Sequence, residues 1–454
     1  MKRPISILLG LFAITLMAVT AAAAATAAVV LFEDPFELLR NRKSLDGEEV
    51  FIKDMRLQAP GAIRKYFLRS NAGKVAIVGS SNGEFLLPSD VEDIIGLKGV
   101  YSFAMVATSP LEVFDQLRLL ERSESLTTVI CTIDRHYYFF EDATYAYRFY
   151  RPEYYRDGVV DRLRYALDKQ AFLASWSMLW GSGLTLKTTR LLNQDALERT
   201  ASAMQDDRFD SLWGRGQTLK TTRLLNQDAL ERTAWTMQDG RFDSDQFSLS
   251  ELREKRELSR QKAIAAHARI EENRESGIDP ALPFPVIDDF VTIIAKRPDI
   301  RFILYVSPWA HLHEGISTFV PPNSLQDRDG EMPYQYYYGM KYLVDKLKHM
   351  ENVTVFALDD QKEIVENYAN YGRDPWHPVL GVPRYFLYSV REGKHIITTD
   401  NIDAYLERTF DIWVHGQVYI DETDTVGYEG PVDTAAYSRY PYRRSKYALE
   451  TDTP

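Results

Sequence analysis

Short apolar runs recur along the chain and predict buried strands. They are residues 74–79, 99–103, 127–133, 301–306 and 352–356. Amphipathic segments of helical length lie between them, at residues 110–122, 285–296 and 335–349. This alternation predicts an α/β fold with a mainly parallel sheet covered by helices on both faces, so ligands are expected beyond the carboxyl ends of the strands.

The amino-terminal segment is apolar for long enough to cross a membrane. Residues 4–32 contain no charged side chain, and Lys2 and Arg3 precede them. At about 1.5 Å per residue, a helix of this length exceeds the roughly 30 Å hydrocarbon core. Residues 1–32 are therefore expected to be an N-terminal transmembrane helix that holds a periplasmic or other extracytoplasmic domain. The small residues 21–28 leave a second possibility, a cleaved signal and a secreted protein.

A tandem duplication interrupts the alternating pattern. Residues 179–211 and 212–244 are copies of one 33-residue unit that differ at five positions. Two copies are too few for a solenoid, so we expect a helical insert, together with the charged helix at residues 250–275. The predicted organisation is a linker with leading helices at 33–73, an α/β domain at 74–420 that contains the insert, and a tail at 421–454.

Charge and cysteine content exclude several classes of site. The net charge of −11 argues against a nucleic-acid partner, whose binding surface would be basic. Cys131 is the only cysteine, so neither an intramolecular disulfide nor a thiolate metal cluster is possible. His311 and His313 offer only two imidazoles to a metal, and His311 is expected to contact substrate instead. We therefore predict no metal and no cofactor.

The sharpest chemical signal is the sequence Gly79-Ser80-Ser81 directly after the first predicted strand. A glycine turn at a strand end can raise a serine above the sheet, which makes Ser81 the candidate nucleophile. The alternative is a turn whose serine only caps a helix. Asp374 and His377 follow the last predicted strand, three residues apart, and can act as orienting carboxylate and general base. Taken separately, such a segment is more often an aspartate-capped turn with a surface histidine.

Further polar residues are expected at the same edge of the sheet. Asn82 follows the candidate nucleophile, while Arg135 and His136 follow the strand at residues 127–133. These residues are predicted to contact substrate, with Arg135 binding an anionic group. A salt bridge at the strand end is the other interpretation of Arg135.

These motifs resemble the membrane-anchored SGNH (GDSL-like) hydrolases of bacterial envelopes. The resemblance rests on VAIVGSS, TVICTID, ILYVSPWAH and RDPWH, and covers about residues 57–414 apart from the duplication. It implies a flavodoxin-like three-layer sandwich, with Ser81, His377 and Asp374 as the catalytic triad. It also implies oxyanion binding by the backbone N–H groups of Ser81 and Ala104. Relatives include proteins that help to acylate envelope glycans or teichoic acids beside membrane-bound acyltransferases.

The chain departs from the family pattern in two blocks. The usual Asn-x-Gly of the second block is Ser102-Phe103-Ala104 here, and the usual Gly-x-Asn-Asp of the third block is not visible near residues 131–136. We therefore keep two hypotheses. The first is a serine-dependent acyl-ester hydrolase or O-acyltransferase acting on an envelope glycan or lipid-linked sugar. The second is a non-catalytic envelope protein that binds a polysaccharide or a membrane acyltransferase.

Overall fold

A computed structural model describes a six-stranded sheet and helices that cover it. The described residues are 17, 20–21, 23–28, 30, 59–61, 63–69, 71–104, 108–139, 152–156, 159–168, 249–278, 280, 282–310, 331–371, 378 and 381–420. Asp374, His377, His311, both 33-residue copies and the predicted tail lie outside them, as does the side chain of His136. The chain divides into two compact units, residues 1–70 with 151–213 and residues 71–150 with 214–454.

The second unit is built on a six-stranded sheet in the order β2-β1-β3-β4-β5-β6. The strands are β1 Val75–Val78, β2 Val100–Ser102, β3 Thr128–Ile133, β4 Arg301–Val306, β5 Val353–Ala357 and β6 Ile396–Ile397. All neighbouring strands are parallel except β5 and β6, which are antiparallel. The five predicted strands and the mainly parallel α/β sheet are thus confirmed. The sixth strand was not predicted because it is only two residues long.

Helices connect these strands and cover both faces of the sheet. In the second unit they are α1 Ser81–Glu84, α2 Pro88–Ile94, α3 Pro110–Leu120, α4 Arg135–Tyr138, α7 Leu249–Glu275, α8 Pro285–Ile294, α9 Glu331–Leu347, α10 Lys362–Val365, α11 Gly381–Glu392 and α12 Ile402–His415. Two further helices, α5 Pro152–Tyr155 and α6 Val159–Ala166, belong to the first unit.

Alternate residues of each strand enter two different cores. Ile77, Ile303 and Tyr305 belong to a buried cluster with Val91 of α2 and Phe386 of α11. The ring of Tyr305 stacks on Phe386 at a centroid distance of 4.0 Å. On the opposite face, α3 packs against β1 and α8, and α9 packs against α4 and α8. The buried strands therefore read as continuous apolar runs, as expected for a sheet covered on both sides.

The charged helix predicted at residues 250–275 is α7, and it packs against α9 and α12 rather than standing apart from the sheet domain. Ala263, Ala266 and Ile270 form its buried side. Its Arg256 is also buried and donates to the carbonyls of Ile412 and Gly416 at the end of α12. Because burial removes water from the guanidinium, the pKa of Arg256 falls to about 10.

The first unit is described only in part. A π-helix at Arg64–Arg69 contains the buried Arg64, whose guanidinium donates to the carbonyls of Tyr154 and Tyr155 at the end of α5. The Tyr154 hydroxyl donates to Asp168, which follows α6. The Arg64 bonds satisfy carbonyls that the short helix α5 leaves without internal donors.

Only scattered residues between Met17 and Val30 are described in the amino-terminal segment, and they are helical. Within the described part of the chain, none of the helices has both the length and the apolar character needed to span a bilayer. Most of residues 1–32 lie outside that part, so the transmembrane helix stays a prediction.

Candidate functional site

The chain reverses its direction of winding between β1 and β3. From β1 it passes to β2 on one side of the strand and then returns to β3 on the other side. Loops that leave neighbouring strands in opposite directions open a crevice at their carboxyl ends, which is where ligands bind in open α/β sheets. The Gly79–Asn82 turn leaves β1 at this crevice, and Asp134 and Arg135 leave β3 beside it.

The glycine turn is held tightly against β3. Gly79 has a φ of 141°, a backbone conformation that favours glycine. A Cβ at this position would overlap Thr132 Oγ1, and a Cβ at Gly83 would lie 2.6 Å from the Cβ of Ala104. Only glycines allow α1 to start so close to the ends of β2 and β3.

Within this turn, Ser80 and Ser81 have different structural roles. Ser80 is the N-cap of α1, and its hydroxyl accepts from the backbone N–H of Asn82 at 3.5 Å. Ser81 is the first helical residue and is partly exposed, whereas Ser80 and Asn82 are 4% and 2% exposed. The capping serine of the alternative interpretation is therefore Ser80, and the candidate nucleophile is the serine that solvent reaches.

Asn82 joins the turn to the end of β3. Its Nδ2 donates to Asp134 Oδ1 at 2.5 Å, and both side chains are buried. This bond lets Asn82 position the Ser81 turn. The Asn82 Oδ1 is buried and has no hydrogen-bond partner in the described part of the chain.

Ala104, the second predicted oxyanion donor, lies directly across from α1. The preceding Phe103 donates its backbone N–H to the Ile77 carbonyl at 2.7 Å, which extends the pairing of β1 with β2. Ala104 is fully buried and follows this last bond. The Ser81 turn and the Ala104 backbone therefore lie at the same end of adjacent strands.

Arg135 is buried in an aromatic cage. It forms an ion pair with Asp359, and the side chains are 5% and 0% exposed. The guanidinium carbon lies 5.1, 4.6 and 5.5 Å from the ring centroids of Trp309, Tyr336 and Trp413. The strand-end salt bridge, the second interpretation of Arg135, is thus present in the structure, and the guanidinium is enclosed by protein groups.

Asp359 collects further hydrogen bonds at the end of β5. The hydroxyls of Tyr336 and Tyr405 donate to its Oδ2 at 2.8 and 2.9 Å, and the backbone N–H of Trp309 donates to Oδ1 at 3.4 Å. Burial raises the pKa of the Tyr336 hydroxyl to about 12, so it stays protonated and able to donate. Sequence analysis missed Asp359, although a carboxylate two residues after a strand was a usable signal.

Asp374 and His377 lie in sequence between two described residues, Tyr371 and Pro378. The chain leaves the described part after Tyr371 and returns at Pro378, and these two residues form an antiparallel bridge. Tyr371 is fully buried. Burial raises the pKa of its hydroxyl well above the usual value, and the positive charge of Arg135 opposes this shift.

Steric crowding at Gly79 gives a testable prediction. Gly79→Ala should lower the free energy of unfolding by roughly 2–4 kcal/mol, because strain at positive φ adds to overlap with Thr132. Gly96→Ala is the matched control, since its φ is 74° but no atom lies within 4 Å of the added Cβ. It should cost only about 1–2 kcal/mol. Urea denaturation of both variants measures the difference, and equal losses would contradict the crowding.

Comparison of the chain with protein-family models, with curated proteins and with solved structures gives no match. A function must therefore be argued from the residues at the sheet edge.

Proposed function

We propose that the protein is a serine-dependent acyl-ester hydrolase or O-acyltransferase that acts on an envelope glycan or lipid-linked sugar. In this proposal the sheet domain is a flavodoxin-like, SGNH-like fold. Its strand order, β2-β1-β3-β4-β5, is the order of flavodoxin-like folds. Residues 1–32 would keep the domain at a membrane, where a membrane-bound acyltransferase could be its partner.

One observation carries the proposal. The partly exposed Ser81 leaves β1 at the crevice where the sheet changes its direction of winding. The bridge between Tyr371 and Pro378 pairs the described residues on either side of Asp374 and His377. The strand ends of β1 and β3 are adjacent. The proposal brings Asp374 and His377 to Ser81 across 293 and 296 positions of sequence.

The proposed reaction follows from these roles. Ser81 Oγ forms a bond to the ester carbonyl carbon, and its proton passes to His377, whose charged form Asp374 stabilises. The backbone N–H groups of Ser81 and Ala104 would stabilise the oxyanion. His377 then returns the proton to the departing alcohol oxygen, which leaves an acylated Ser81. Water or a sugar hydroxyl attacks this ester by the same path and releases the acyl group.

Covalent trapping tests the proposal directly. A fluorophosphonate probe should modify the wild-type protein at Ser81, as located by peptide mass mapping, and should not modify Ser81→Ala. Ser80→Ala is the neighbouring control. It should lose about 1 kcal/mol of stability with the N-cap but remain labelled at Ser81. If labelling disappears in Ser80→Ala and persists in Ser81→Ala, the nucleophile is Ser80 and the proposed assignment to Ser81 is wrong.

A second candidate function is a non-catalytic envelope protein that binds a polysaccharide or an acyltransferase. The residues at the end of β3 favour this function, because the family's third block usually supplies an oxyanion donor there. Here Asp134 accepts from Asn82 and Arg135 is paired with Asp359. Under this function Ser81→Ala keeps its partner in pull-down assays, and deletion of residues 212–244, one copy of the duplication, releases it. Partner binding that survives the deletion, together with lost esterase activity, would count against it.

A further inference from the structure

A solvent-open cleft of about 200 Å³ lies between the end of α7 and the middle of α9. Its lining includes Ile270, Asn273 and Arg274 from α7, and Tyr337, Tyr338 and Lys341 from α9. None of these residues belongs to the proposed catalytic set. The volume is smaller than that of a pocket for a drug-sized molecule, roughly 300 Å³ or more, so the cleft suits one small ring.

A carboxamide is held in a fixed orientation in the cleft. Asn273 Nδ2 donates to the hydroxyls of Tyr334 and Tyr338 at 2.9 and 3.2 Å. These two bonds use both hydrogens of the amide nitrogen. Its Oδ1 accepts no hydrogen bond from a residue in the described part of the chain, so it can accept one from a ligand hydroxyl.

The tyrosines form a rigid aromatic platform. The half-buried ring of Tyr338 lies edge-on to Tyr334 and Tyr337, each at a centroid distance of 5.0 Å. Tyr337 in turn packs against Phe410 of α12 at 6.0 Å. Neighbouring rings therefore limit movement of Tyr338, and little conformational entropy would be lost when a ligand packs on it.

Two cations are also available at the cleft. Arg274 pairs with Glu271 at 3.1 Å, and Lys341 pairs with Asp403 at 2.9 Å. The cationic side chains are 63% and 41% exposed. Exposed pairs of this kind contribute at most about 1 kcal/mol, so a ligand oxygen can share or replace either partner.

From this combination we propose that the cleft binds one sugar ring of a glycan, at a site distinct from Ser81. The apolar face of the ring packs on Tyr338, one hydroxyl donates to Asn273 Oδ1, and Arg274 and Lys341 donate to neighbouring ring oxygens. An aromatic surface beside oriented donors and acceptors matches the mixed apolar and polar character of a sugar. The proposal goes beyond the reaction at Ser81 and is independent of it.

The test uses the full-length protein and an array of neutral, N-acetylated and uronic acid oligosaccharides, followed by titration with the strongest binder. We expect Tyr338→Ala to weaken binding about tenfold or more, and Lys341→Ala to weaken it severalfold. Ser81→Ala should bind as the wild type does, which separates this site from the proposed reaction.

Lys346→Ala is the matched control. Lys346 pairs with Asp288 at 3.0 Å, is 40% exposed and lies over Tyr342, so it repeats the surroundings of Lys341 on the same helix but outside the cleft. Its removal should leave binding unchanged. No binding to any oligosaccharide by the wild type, or equal binding by wild type and Tyr338→Ala, would overturn the proposal.

Discussion

Ser81→Ala and His377→Ala should each reduce ester hydrolysis by about 10⁴-fold or more, and the double variant should be no slower than either single variant. A nucleophile and its base act as a unit, so removing the second partner costs little once the first is gone. Measurement of kcat/KM on acetyl esters for the three variants tests this. The result also links two residues that are far apart in sequence.

Two variants serve as controls for that measurement. Ser125→Ala removes a buried serine that donates to the Gly73 carbonyl before β1, at the opposite end of the sheet from Ser81. It should retain kcat/KM. Asp374→Ala should lose less activity than Ser81→Ala, because the carboxylate only orients and stabilises the histidine. Losses that multiply in the Ser81 and His377 double variant would mean that these residues act independently, and the triad would be wrong.

The sheet was predictable because its strands are buried on both faces. Each of β1, β3 and β4 is an apolar run that ends directly before glycine or a polar residue, β5 is followed by one further apolar residue before Asp359, and the chain alternates these runs with amphipathic helices. The two-residue β6 lacks any such run. The position of α7 was not predictable, because its charged residues surround it on most sides and its buried side consists mainly of small alanines.

The candidate site was predictable only where local sequence determines the contact. Gly79 and Ser81 follow a strand, so their place at the sheet edge follows from topology. The pairing of Arg135 with Asp359 joins residues 224 positions apart and requires β3 and β5 to flank the same strand, β4. The aromatic cage adds Trp309 and Trp413 from two further elements. Such contacts depend on the order and register of all the strands, and a local sequence motif does not predict either.

That buried network leads to the second large expected effect. Asp359→Ala should lower the free energy of unfolding by about 3–5 kcal/mol, measured by urea denaturation. The substitution leaves the Arg135 charge buried without its carboxylate, and it also removes the acceptor for the Tyr336 and Tyr405 hydroxyls. The Arg135 guanidinium then keeps its desolvation cost without a compensating carboxylate. The two hydroxyls lie 2.7 Å apart, so one can donate to the other, but the second hydroxyl hydrogen loses its acceptor.

Asp345→Ala provides the comparison with an exposed ion pair. Asp345 is 62% exposed and pairs with Lys348 at 2.6 Å, so its loss should cost less than about 1 kcal/mol. Replacing both members of the buried pair, as in Arg135→Met with Asp359→Leu, should recover part of the stability that Asp359→Ala loses, because no unpaired charge remains. A double variant as unstable as Asp359→Ala would show that the tyrosine hydroxyls, rather than the Arg135 charge, account for the loss.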